Sequence, residues 1–191
     1  MVAGDSEYTI DGVRMELEGF ADNDFLGVGA GVTAIDNAKV TINDSEFNLS
    51  GVTRCAIHAG GDSYVEVNNC DILNLSPDSD RLGFFSWNVG FLGTNRLTQL
   101  TDNATVEYRN CRLKTNGWGV CSIDGSDEGV KMLLKDTTIE LTGPRAHGYG
   151  AFCIGDNHIT MDHTRCDVNG MPILLILVIQ GSICLNFAFT K

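Results

Sequence analysis

The stretches VEVNNCDI, beginning at Val65, and VEYRNCRL, beginning at Val106, share one frame: apolar, any, apolar, any, Asn, Cys, any, apolar. The frame returns in looser form at Val40 (VTINDSEF), Met132 (MLLKDTTI) and Ile159 (ITMDHTRC), where Asp44, Asp136 and His163 stand in the place of Asn69 and Asn110. Successive starts lie about 25, 41, 26 and 27 residues apart, the spacing of stacked solenoid units apart from one long interval.

A second element precedes the frames. AIDNAKV from Ala34, AIHAGGDSYV from Ala56, SIDGSDEGVKM from Ser122 and CIGDNHI from Cys153 each give an apolar residue, a turn of Gly, Asn or Asp, and the next strand. The frames are followed by short apolar pairs ending in a turn residue: FNLSG, LKTNG, IELTG and CDVNG. No helical period fits, whereas period-two alternation bounded by turn residues is a strand signal. Hairpins of a sandwich rarely hold one internal grammar through five cycles; coiled rungs do, because equivalent residues stack about 4.8 Å apart and share one environment. Asn at the bend tolerates the left-handed backbone conformation, and stacked amides bond up the column as a ladder. Cys70 and Cys111 are then expected in one column of small residues with Ser45, Thr137 and Thr164.

A chain of 191 residues with 43% hydrophobic content is long enough to bury a core, and a single domain over 1–191 is the expectation. The formal net charge of −12 argues against nucleic acid or an anionic membrane as partner, since phosphate binding needs clustered Lys and Arg; sugars, cations and proteins stay open. The opening MVAGDSEYTI has no basic region leading into an apolar run, so no secretory signal is read in this chain. Seven cysteines without a CxxC spacing read as reduced, buried thiols, with one or two disulfides of an exported protein as the alternative.

The strings AIHAGGDSYVEVNNCDI and SIDGSDEGVKMLLKDTTI resemble the rung grammar of right-handed parallel β-helix proteins of the pectate lyase-like superfamily. The likeness covers Val32 to Gly170 and implies an all-β, right-handed parallel β-helix solenoid of about six rungs with one inserted loop. That superfamily includes polysaccharide lyases, glycoside hydrolases, phage tailspikes and adhesins, so the resemblance also implies an extracellular or cell-surface setting. GPRAHGYG around His147 is similar to the Gly-His-Gly element of polygalacturonases, but Ala146 replaces the first Gly and no paired-Asp or Arg-x-Lys motif accompanies it, so no catalytic role is carried over.

Two segments break the repeat. The long interval holds an insertion within 76–103 containing RLGFFSWNVGFLGTNRL. Phe84, Phe85, Trp87 and Phe91 pack there as a lid over the solenoid flank or form a platform for sugar rings, with Arg81 and Arg96 placed to pair with uronic acid carboxylates. The tail 171–191, MPILLILVIQGSICLNFAFTK, is interrupted by Gln180, Gly181, Ser182 and Asn186, and its continuous part falls short of the ~20 residues of a membrane span. It reads as a terminal apolar rung or cap, with self-association through it as one way to cover its outer face.

If Ile35, Ile57, Ile123 and Ile154 point inward, Asp36, His58 and Asp124 face outward in one row with Arg54 nearby. Such a row suits uronate chemistry: carboxylates to hold Ca²⁺, a base, and a cation for the enolate. Turn carboxylates are also plain turn formers. Asp62, Asp127 and Asp156, with Asn157, form a second acidic group in the following turn, where stacked carboxylates need solvent or a cation. His158 and His163 are expected to face solvent or the ladder. The function expected is a surface module binding polysaccharide or another extended ligand along one face, and the rival is a lyase or hydrolase acting on uronate-containing glycans.

Overall fold

A computed structural model describes residues 1–19, 21, 26–51, 53–75, 96–117, 119–123, 129–142, 149–154, 157–169 and 171–176. Strands β1 to β18, numbered in chain order, form three sheets, each taking every third strand, and every pairing is parallel. Sheet one stacks β3 (Val32–Ala34), β6 (Ile57–Ala59), β9 (Arg96–Leu100), β12 (Gly119–Ile123), β15 (Tyr149–Ile154) and β18 (Met171–Ile176). Sheet two stacks β1 (Glu7–Asp11), β4 (Lys39–Asn43), β7 (Tyr64–Asn68), β10 (Thr105–Arg109), β13 (Lys131–Lys135) and β16 (His158–Asp162). Sheet three stacks β2 (Arg14–Glu18), β5 (Glu46–Ser50), β8 (Asp71–Leu75), β11 (Arg112–Thr115), β14 (Thr138–Leu141) and β17 (Arg165–Val168). The chain is an all-β parallel β-helix. No helix among the described residues is long and apolar enough to cross a membrane.

The repeated frame sets the register. Val40, Val65, Val106, Met132 and Ile159 are successive Cα partners. Tyr8 pairs with Val40, which makes YTIDGVRM an earlier copy that the sequence reading missed, because Gly12 stands where Asn, Asp or His stands elsewhere. Gly12 has φ 61°, matching the bend residues that follow it.

Those bend residues, Asp44, Asn69, Asn110, Asp136 and His163, hold φ between 48° and 54°. Asn110 Nδ2 donates to Asn69 Oδ1 at 2.9 Å, and Asn69 Nδ2 donates to Asp44 Oδ1 at 3.2 Å. The next residue in each bend closes it: Ser45, Cys70, Cys111, Thr137 and Thr164 each donate to the carbonyl two residues back, at 2.6, 3.1, 3.3, 2.9 and 3.3 Å. A short side chain with one donor suits this corner from the second rung on, where Ser, Thr and Cys all supply it; Val13 holds the place in the first. The described cysteines are reduced thiols, with Cys55, Cys70, Cys111, Cys121 and Cys153 buried and Cys166 half-buried.

Asn69→Ala removes both ladder contacts and places a Cβ without a compensating amide in the left-handed region. It is expected to cost about 2 kcal/mol, and Asn69→Gly about half that, since glycine keeps the backbone and loses only the ladder. Urea titration of both variants checks this. Equal losses would mean that backbone conformation contributes nothing.

Sheets two and three alternate buried side chains with half-buried or exposed ones, as in β10 and β14, whose outward positions are half-buried. The buried side chains form columns down the solenoid, among them Ile42, Val67, Tyr108, Leu134 and Met161. Tyr108 is the polar exception; its hydroxyl lies 2.5 Å from that of Thr98, and burial pushes its phenol pKa well up. Sheet one does not alternate: β6, β9 and β12 are buried at every position.

Candidate functional site

The register separates the residues that the sequence grouped. Thr33, His58, Gln99 and Ser122 are successive partners, so His58 shares its row with those three and not with Asp36. The alignment of Ile35 with Ile57 slipped: Val32 pairs with Ile57 and Ala34 with Ala59. Asp36 instead sits in the turn after β3 with φ 62°, and its Oδ2 accepts from Gly4 N at 3.0 Å. Asp102 repeats this on Gly61 N at 2.9 Å, giving a turn column of Gly4, Asp36, Gly61 and Asp102.

The neighbouring column alternates as well. Asn37 Nδ2 donates to Asp5 Oδ1 at 2.8 Å, and Asn103 Nδ2 donates to Asp62 Oδ1 at 3.2 Å. Asp62 therefore stacks on an amide, which relieves the repulsion that like carboxylates one rung apart would suffer. No group of three or more His, Cys, Asp or Glu among the described residues is arranged to hold a metal ion. Asp124, Asp127, Asp156, Arg81, Phe84, Phe85 and Trp87 lie outside the described residues.

Both described arginines of the sequence reading are engaged internally. Arg54 donates to the carbonyls of Glu18, Gly19 and Gly29 at 2.7 to 2.8 Å, clamping the backbone that leaves β2. Arg96 is 1% exposed, and its Nε donates to Tyr149 Oη at 3.1 Å.

Arg96 belongs to a buried polar cluster on the outward side of sheet one. Tyr149 Oη also lies 3.0 Å from Ser122 Oγ, and His58, Gln99 and Ser122 are at most 4% exposed. Gly119 makes the arrangement possible: a Cβ there would stand 2.3 Å from the Tyr149 ring, which crosses over it toward Arg96. The Gln99 amide is fully buried and makes no hydrogen bond among the described residues. The cluster combines base, phenol, amide and guanidinium, yet a polymer cannot reach side chains so enclosed.

The outer face of sheet two is open. Lys39, Tyr64, Thr105, Lys131 and His158 form one row across the rungs, and Thr41, Glu66, Glu107, Leu133 and Thr160 form the next. Over β10, β13 and β16 these rows enclose a hollow of about 330 Å³, rimmed by Thr105, Glu107, Lys131, His158 and Thr160. Leu133 is the apolar member of an otherwise polar row and forms part of the floor.

Glu107 is held in place by an ion pair with Arg109, whose Nε also lies 3.8 Å from Glu66. The Tyr64 phenol, beside Glu107 and Glu66, is pushed up to about 12, first by burial and then by those carboxylates. His158 faces solvent, and His163 occupies the ladder bend. The sequence reading did not single out this hollow. Its one legible signal was the third residue of MLLKDTTI, Leu133, apolar where the frame places solvent-facing residues.

Comparison with known proteins finds no matching family model, no matching curated sequence and no matching solved structure. The fold alone classifies the chain: a parallel β-helix with an open outer sheet face.

Proposed function

We propose that the protein is a surface module binding a polysaccharide along the outer face of sheet two. The observation that carries this reading is the hollow over β10, β13 and β16, with an apolar floor at Leu133 and a rim of Glu107, Lys131, His158 and two threonines. A sugar ring presents just such a mixture, an apolar C–H face edged by hydroxyls, and the side chains that meet it here project from strands, which hold them in place better than loops do. Because rungs recur about every 4.8 Å, an extended ligand running across the strands meets related side chains at each step. The likeness of the rung grammar to the pectate lyase-like superfamily supports both the ligand class and an extracellular or cell-surface setting. The net charge of −12 favours a neutral or only locally acidic glycan, whose charge Lys131 and His158 would meet.

A glycan array followed by calorimetry on the best ligand tests the proposal. Leu133→Asp and Lys131→Ala should each weaken binding about tenfold or more, roughly 1.4 kcal/mol, with unchanged circular dichroism. Unchanged affinity in both variants would rule out this face. The rival is a lyase or hydrolase of uronate glycans. It predicts unsaturated or reducing products from polygalacturonate, and their appearance would displace the binding reading.

A further inference from the structure

We propose that Cys70 and Cys111 are a modification site, a vicinal thiol pair that peroxide converts to a disulfide locking the third rung to the fourth. The two residues occupy the same corner on successive rungs, between the register pairs Asn68 with Arg109 and Asp71 with Arg112. The Cys70 N–H donates to Cys111 Sγ at 3.5 Å, so the lower backbone already touches the upper sulfur. Neighbouring parallel backbones stand about 4.8 Å apart, inside the roughly 4.4–6.8 Å window that a disulfide spans between Cα atoms. Both thiols are buried but lie near the surface of the bend, at 3% and 4% exposure, within reach of an oxidant as small as peroxide.

The chemistry favours a defined order. The neighbouring Cys111 thiol lowers the Cys70 pKa, whereas Cys70 and burial raise that of Cys111. Cys70 is therefore the sulfur that ionises first and attacks peroxide. Its sulfur takes one oxygen to become a sulfenic acid, the O–O bond breaks, and one water leaves. Cys111 then attacks the Cys70 sulfur, the S–O bond breaks, and a second water leaves. Two thiols have lost two hydrogens and two electrons, and one peroxide has become two waters.

The link has a structural consequence. The partners are 41 residues apart, and the segment between them contains the whole aromatic-rich insertion. Oxidation would close the chain on either side of that insertion, and the corner column offers Cys70 and Cys111 no competing thiol, since its neighbouring members are Ser45, Thr137 and Thr164.

Reduced protein treated with peroxide, then alkylated and digested, should yield a peptide joining Cys70 to Cys111 and an intact mass lower by about 2 Da. Its melting temperature should rise by roughly 5–15 °C, and added reductant should reverse both changes. Cys70→Ser and Cys111→Ser keep the donor that the corner needs, so they should fold and show neither the link nor the shift. A folded protein whose Cys70 stops at the sulfinic acid, whose linked peptides involve other cysteines, or which resists peroxide until unfolded would each overturn the proposal.

Discussion

Gly51→Ala is expected to destabilise the solenoid by about 4 kcal/mol or more, a large share of the roughly 5–15 kcal/mol that a folded domain has to lose. Gly51 follows β5 with φ 148°, and a Cβ built on it would stand 1.8 Å from the carbonyl oxygen of Gly19 and 2.7 Å from its carbon. The obstacle is backbone, so no rotamer change relieves it. Gly19 is itself fixed, because its oxygen accepts from Arg54 Nε. Moving either residue drags one rung against the next. Gly4→Ala is the control: Gly4 has φ 67°, but a Cβ there meets nothing within 4 Å, so only the left-handed backbone penalty of about 1 kcal/mol applies. Thermal and urea unfolding of both variants separates conformation from collision. Equal losses would show that the rungs are not packed backbone to backbone at this corner.

What the sequence disclosed and what it hid follow from the same physics. Inward columns are legible because burial selects residue type at every rung, which is why the starts at Val40, Val65, Val106, Met132 and Ile159 coincide with the observed partners. Bends are legible because a left-handed residue followed by a short donor is a narrow requirement. Turns between sheets one and two are not. They need positive φ, which Gly4, Asp36, Gly61 and Asp102 supply equally well, and they differ in length: Leu100 and Ile123 are partners, yet Ile123 lies farther from Met132 than Leu100 does from Val106. An alignment anchored on isoleucines slides across such turns, and that slip joined Asp36 to His58. The burial of the outward row of sheet one was equally invisible, because His58, Gln99 and Ser122 are residue types that usually mark a wet surface. Residue identity reports the environment of a position only where that environment repeats. The insertion and the covering of sheet one occur once, so no second copy exists to compare.

Phe47→Ala should cost about 3–5 kcal/mol, and the loss should be local. Phe47 is fully buried, and its register partners on either side are Met15 and Ile72. In a stack held by contacts between nearest neighbours, a cavity at one rung weakens the two interfaces that touch it and leaves distant rungs alone. The N-terminal end is the weaker side. Tyr8, which ends one inward column, is 59% exposed, and Ile10, Met15 and Leu17 are only partly buried, so β1 and β2 depend chiefly on β4 and β5. Hydrogen exchange on the variant should therefore lose protection in β1, β2, β4 and β5 while β10, β11, β13 and β14 keep theirs. Coupling in a solenoid passes from rung to rung, and each interface attenuates it. Uniform loss along the chain would mean that the rungs unfold as one block, and the hollow on sheet two could then not be varied without disturbing every other face.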